Sequence, residues 1–153
     1  PFFDPRSRNV APDLRRIRAW TDGYEPGSVL KPFLMAAALK NGVKLSDREW
    51  GGRGEMILQG KRIGEAEEHE KFEWLTLSEM VKVSSNVGAA KFALRIGPHR
   101  YFSFLREFGF GSRSGLGMPG EISGALPPAD QVKPLRLANI GFGQGLLLSL
   151  IHI

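Results

Sequence analysis

The sequence predicts a helix-rich α+β domain. Two observations carry that prediction. Four stretches have helical composition or spacing with recognisable end signals, and one short segment between them reads as a β-hairpin. The chain has 153 residues, the size of a single domain. Its composition, 42% hydrophobic and 24% charged, is that of an ordinary globular protein.

PFFDPRSRNVAP (1–12) is proline-rich and reads as loop. LRRIRAW (14–20) fits either a short strand or a helical turn. SVLKPFLMAAALKNG (28–42) is a helix: its interior is Ala, Leu and Met, and Asn41-Gly42 is a stop signal. Pro32 falls at its first turn, where a missing amide costs little. GRGEMILQGKRIGE (52–65) reads as the hairpin, turning near Gln59-Gly60. EAEEHEKFE (65–73) reads as an acidic surface stretch. LTLSEMVKV (75–83) is a short helix with Thr76 as N-cap and Glu79 completing a capping box. NVGAAKFALRIG (86–97) is a helix closed by Gly97, and PHRYFSFLREFG (98–109) runs from Pro98 to Gly109. In the latter, Tyr101, Phe104, Leu105 and Phe108 follow helical spacing and read as core. FGSRSGLGMPGEISGALPP (110–128) is a long Gly/Pro loop without a GxGxxG or Walker pattern.

Several function classes fall away. Without cysteine there are no disulfides or thiolate metal sites. His69, His99 and His152 have no metal-ligand spacing, and Glu121 and Asp130 do not read as a paired-carboxylate site. The formal net charge is +5. The densest basic cluster, Arg15, Arg16 and Arg18 beside Trp20, reads as a solvated face; a nucleic-acid binder needs a broader basic stripe with interleaved aromatics, so none is expected. No apolar run reaches about 18 residues and no signal peptide is recognisable. The chain opens on Pro1 and is expected to be cut at its start.

Chemistry concentrates in YEPGSVLKPF (24–33). Ser28 and Lys31 are three residues apart, hence one turn apart on one helix face. A serine hydroxyl is a poor nucleophile until a base takes its proton, and a neutral lysine amine can do so. That lysine must lose about three pKa units, roughly 4 kcal/mol, through burial or neighbouring cations. The Ser28 amide at the helix start can face a developing oxyanion. S-x-x-K alone is weak, since a chain this long holds about half of one by chance. S-x-N is no stronger: Ser84-Ser85-Asn86 fits it, and so does Ser7-Arg8-Asn9.

Context supplies the specificity. YEPGSVLKPF, VKVSSNVGAAKFALRIG, FGFGSRSGLGMPGEISGALP and IGFGQG follow one another in the order of a class B penicillin-binding protein, which this chain resembles across about 5 to 145. The septal, cell-division type of D,D-transpeptidase is the nearest form. The resemblance implies the penicillin-binding protein/serine β-lactamase-like transpeptidase fold, here truncated to its helix-rich part with much of the central antiparallel sheet missing. It implies Ser28 as the acylated nucleophile and Lys31 as its general base. Ser84 would relay protons to the leaving D-alanine, and Asn86 would hold the substrate backbone and position Lys31. Ser85 is expected to cap or pack. The reaction would cross-link peptidoglycan stem peptides through D-Ala-D-Ala, with β-lactams acylating the same serine. No metal or organic cofactor is implied. The parent protein would be anchored in a bacterial inner membrane with this domain outside the cytoplasm, beside a glycan-polymerising membrane protein and other division proteins.

The family's third motif, K-[TS]-G, is absent from the chain. The resemblance places it downstream, so this chain alone is expected to be inactive and poorly folded. Residues 1–147 are expected to be a partial transpeptidase domain. LSLIHI (148–153) matches what a sequencing-library transposase end encodes and is expected to be a non-native tail. Three rivals remain: a serine β-lactamase, which needs a water-activating group; a bifunctional class A penicillin-binding protein; and a non-catalytic penicillin-binding sensor.

Overall fold

The computed structural model describes residues 17–149. In chain order its elements are α1 (Arg18–Thr21), α2 (Lys31–Lys40), β1 (Arg48–Trp50), β2 (Glu55–Leu58), β3 (Lys61–Gly64), β4 (Trp74–Thr76), α3 (Leu77–Lys82), α4 (Asn86–Ile96), α5 (Pro98–Glu107) and α6 (Pro134–Gly141). A 3-10 turn, Gly27–Leu30, leads into α2.

Helix α4 is the centre of the core. Val87, Ala89, Ala90, Phe92, Ala93 and Ile96 are all buried, so it is enclosed on most sides. Its small residues let α6 approach closely: a Cβ at Gly141 would lie 2.7 Å from Ala93 Cβ and 2.9 Å from the Ala89 carbonyl oxygen. Helices α2, α3 and α5 pack around the same centre. Leu34, Met80, Phe102 and Leu105 close the core from those sides. Such packing turns apolar burial, worth roughly 25 cal/mol per Å², into the main stabilising term.

The strands form two antiparallel pairs among the described residues. In β2–β3, Glu55 faces Gly64 and Leu58 faces Lys61. Gln59 and Gly60 between them both have positive φ, 51° and 74°, the two-residue turn that matches strand twist. The β1–β4 pair matches Arg48 to Thr76 and Trp50 to Trp74, with the two indoles edge to face at 5.3 Å. The sequence reading had the hairpin but not this pair. Three-residue strands carry too little pattern to be seen without their partners. It also missed α6, whose start at Pro134 follows Lys133 and carries no side-chain cap to mark it.

Other expectations are refined. LRRIRAW resolves as a helical turn from Arg18; residues 1–16 lie outside the described chain. Helix α3 starts at Leu77, and the Thr76–Glu79 capping box is complete in both directions. Phe108 is a correction: it is exposed, because α5 ends at Glu107 and Phe108 leaves the helical phase. It instead packs its ring on Phe33 and Phe104. Phe110 is buried and also packs edge to face on Phe33. His99 is exposed beside Asp130, and Glu121 is buried, accepting from the Ser114 amide at 2.5 Å. Of the tail, Leu148 is buried and exchanges backbone hydrogen bonds with Tyr24. Residues 150–153 and His152 lie outside the described residues.

Candidate active site

The first half of the site is the turn into α2. Ser28 is not in an α-helix, as the sequence suggested, but in the 3-10 turn Gly27–Leu30 that precedes it. In that geometry residues i and i+3 eclipse, which sets Lys31 directly under Ser28. Pro32 then occupies the first turn of α2, where its missing amide has no helical partner. The turn is braced from behind by the IGFGQG block. The Gly27 amide donates to the Gly143 carbonyl at 2.9 Å, and the Gly145 amide donates to Glu25 Oε1 at 2.8 Å. A Cβ at Gly143 would lie 1.9 Å from the Gly27 carbonyl oxygen, so only glycine fits there.

The second half is the turn between α3 and α4. The Ser84 amide donates to the Val81 carbonyl at 3.1 Å and the Ser85 amide to the Met80 carbonyl at 3.0 Å. Ser84 itself has φ 55°, a left-handed conformation that costs a non-glycine residue about 1 kcal/mol or more. Ser85 is fully buried and caps α4: its Oγ accepts from the Gly88 amide at 2.9 Å. It also donates to Glu65 Oε1 at 2.5 Å. Asn86 opens α4; its amide donates to Glu65 Oε2 at 2.5 Å and its side-chain Nδ2 to the Gly64 carbonyl at 3.3 Å.

Lys31 joins the halves. Its side chain is 1% exposed, and Nζ lies 3.1 Å from Ser28 Oγ, 3.0 Å from Ser84 Oγ and 2.8 Å from Asn86 Oδ1. The Ser84 carbonyl oxygen accepts from it as well. An ammonium has three N–H groups, and a neutral amine two with a lone pair. With more acceptors than donors, and two of them hydroxyls, the neutral amine is well accommodated. It can donate to Asn86 and the Ser84 carbonyl while a serine hydroxyl donates to its lone pair. Burial pushes Lys31 down to about 8, against the pull of Glu65 and Glu70, which favour the charged form. Ser28 itself is exposed, so an outside molecule can reach the hydroxyl while the amine stays dry.

The structure therefore brings together all four sequence-derived residues, Ser28, Lys31, Ser84 and Asn86. It adds Glu65, which the sequence reading left in an acidic surface stretch. Nothing in its spacing marks it: it is the first acid of a run, and only the docking of β3 through buried Ile63 carries it to the Ser84–Asn86 turn. Glu65 also borders a polar cleft of about 690 Å³ with Arg53, Arg62 and Lys71. Ser28 and Lys31 do not line that cleft, so this pair sits apart from it. Among the described residues no cluster of His, Cys, Asp and Glu is arranged to hold a metal, and no helix is long and apolar enough to cross a membrane.

Comparison with known proteins adds the context. Residues 1–153 match the penicillin binding protein transpeptidase domain. The penicillin-binding protein PbpB of Mycolicibacterium smegmatis is 39% identical over 130 residues, covering 85% of this chain and 20% of that protein. The probable peptidoglycan D,D-transpeptidase PenA of Neisseria gonorrhoeae is 35% identical over 157 residues, covering 100% of this chain and 26% of that protein. Among solved structures, the transpeptidase domain of Burkholderia pseudomallei penicillin-binding protein 3 superposes with a TM-score of 0.83 at 32% identity, over 90% of this chain and 41% of that one. The chain thus spans about a quarter or less of these two curated relatives.

Proposed function

The chain belongs to the penicillin-binding protein transpeptidase family, and from that premise we propose that it carries the acyl-transfer centre of a peptidoglycan D,D-transpeptidase. The observation that carries this reading is the burial of Lys31 with Nζ in hydrogen-bond range of both Ser28 Oγ and Ser84 Oγ. Ser28 Oγ attacks the carbonyl of the D-Ala-D-Ala peptide bond and passes its proton to neutral Lys31. The tetrahedral intermediate collapses as Ser84 delivers a proton to the departing D-alanine amine and takes one back from the Lys31 ammonium, which lies 3.0 Å from its Oγ. The acyl-serine ester remains. An amine on a neighbouring strand then attacks that ester and loses a proton through the same groups, restoring the Ser28 hydroxyl. Asn86 holds Lys31 through Oδ1 and supports the donor strand's backbone. Such positioned proton transfer contributes about 10²–10⁴-fold. A β-lactam enters by the same attack and stays as the acyl-serine.

For the whole protein the same proposal has the domain outside the cytoplasm of a bacterium, tethered to the inner membrane, with glycan-polymerising and division proteins as partners. The curated relatives support a cell-wall role: they are named as penicillin-binding proteins and D,D-transpeptidases.

The test is intact mass of the full-length protein after penicillin treatment. A single stable adduct that vanishes in Ser28→Ala is expected. An adduct surviving in that variant, or none on the folded wild type, would overturn the reading. The acylation rate should rise with pH through about 8, where Lys31 loses its proton. Stability should follow the same sign. An unfolded lysine titrates near 10.5 and the folded one near 8, so the cost of burying the charge is present below 8 and is relieved as pH climbs to 10.5.

A further inference from the structure

We propose that Glu65 is a positioning residue of this acyl-transfer centre: its two carboxylate oxygens fix Ser85 and the Asn86 amide, and so aim Ser84 and Asn86 at Lys31. The inference rests on the transpeptidase reading above. The geometry is specific. One oxygen accepts from Ser85 Oγ and the other from the Asn86 amide, each at 2.5 Å. The adjoining Gly64 carbonyl accepts from Asn86 Nδ2. The end of β3 therefore grips the two residues that follow Ser84.

Ser84 needs that grip. Both its carbonyl and its hydroxyl point at Lys31 Nζ, and Ser84 does so with a left-handed φ of 55°. A strained residue persists where its surroundings over-determine it. Amide bonds to Val81 and Met80 hold the turn on the α3 side, and Glu65 holds it on the α4 side. The carboxylate also faces the first turn of α4, where a negative charge is favoured.

Glu65 has a second effect through its charge. Lys31 is faced by the hydroxyls of Ser28 and Ser84, by Asn86, and by two carboxylates, Glu65 at the end of β3 and Glu70 in the following loop. Both carboxylates favour the charged amine. Glu65 thereby holds the base in place while making it slower to deprotonate, and the two effects separate by substitution. In Glu65→Gln the amide oxygen can accept from the Asn86 amide while its NH₂ donates to Ser85 Oγ, at the cost of the acceptor for the Ser85 hydroxyl proton, so most of the grip survives without the charge. In Glu65→Ala both are lost.

The experiment measures penicillin acylation against pH on the full-length wild type, Glu65→Gln and Glu65→Ala, with hydrogen exchange at the Asn86 and Gly88 amides. Glu65→Gln is expected to keep the high-pH acylation rate within a few-fold. Its acid limb should move to lower pH, by a few tenths to about 1 unit. Glu65→Ala is expected to lose about 10- to 100-fold at every pH with faster exchange at both amides. If wild type acylates and Glu65→Gln leaves the pH profile unmoved, the charge role is wrong. If Glu65→Ala acylates like wild type, the positioning role is wrong. If Glu65→Ala does not fold, Glu65→Asp, one methylene too short to span Ser85 and the Asn86 amide, takes its place: slower acylation with faster exchange at both amides is expected, and wild-type behaviour would overturn the positioning role. A folded wild type that takes no adduct removes the transpeptidase reading itself, and this inference with it.

Discussion

The two halves of the site are held by different means. The Ser28–Lys31 half is made of backbone: a 3-10 turn feeding a helix, with a glycine contact behind it. The Ser84–Asn86 half is made of side chains: a strained serine, a capping serine and a carboxylate from a distant hairpin. The proposed nucleophile and base need fixed separation, which a helix start supplies at little cost. In the other half a carbonyl, a hydroxyl and an amide oxygen converge on one amine, which no regular element provides. Strain is therefore confined to the half where convergence demands it.

Gly143→Ala should have the largest effect, and on the backbone half. The new methyl group would collide with the Gly27 carbonyl and carry a φ of 87°. A loss of about 3 kcal/mol in urea unfolding is expected, together with loss of acylation. A variant that unfolds like wild type would show that the Ser28 turn is not braced there.

Ser84→Gly probes the side-chain half and should separate stability from chemistry. Glycine relieves the left-handed strain but loosens the unfolded chain, so stability should stay within about 1 kcal/mol of wild type. Acylation should fall by about 10² because the hydroxyl beside Lys31 is gone. A much larger destabilisation would mean the turn is not strained in the folded protein.

Tyr101→Phe is the smallest effect and the control for both. Tyr101 is fully buried in α5, and its hydroxyl has no hydrogen-bond partner among the described residues. Removing it should leave stability unchanged or raise it by up to about 1 kcal/mol, with acylation unaffected. A drop in melting temperature would reveal a partner for the hydroxyl.

Much was legible before folding was considered. The capping box at Thr76, the Asn41-Gly42 stop, the Gln59-Gly60 turn and the closure of α4 at Gly97 are local chemistry, decided within a few residues. So was the pairing of Ser28 with Lys31, because three residues of helical turn set it. Other features needed the assembled chain. Phe108 turned outward because the helix ended one residue earlier, and the β1–β4 pair exists only once 48–50 meets 74–76. Glu65 is the sharpest case. As a letter in an acidic run it is a solvated charge. As the end of β3 it closes the turn that faces Lys31. Sequence alone determined several caps and stops, such as the Thr76 capping box and the Gly97 closure, and pointed to the groups proposed to do chemistry, since those rest on short-range sterics and hydrogen bonds. The burial that brings Lys31 down to about 8 and the strain in Ser84 were decided only by tertiary structure. Both depend on contacts between segments distant in the chain: Lys31 meets Ser84 across 53 residues, and Glu65 holds Ser85 across 20.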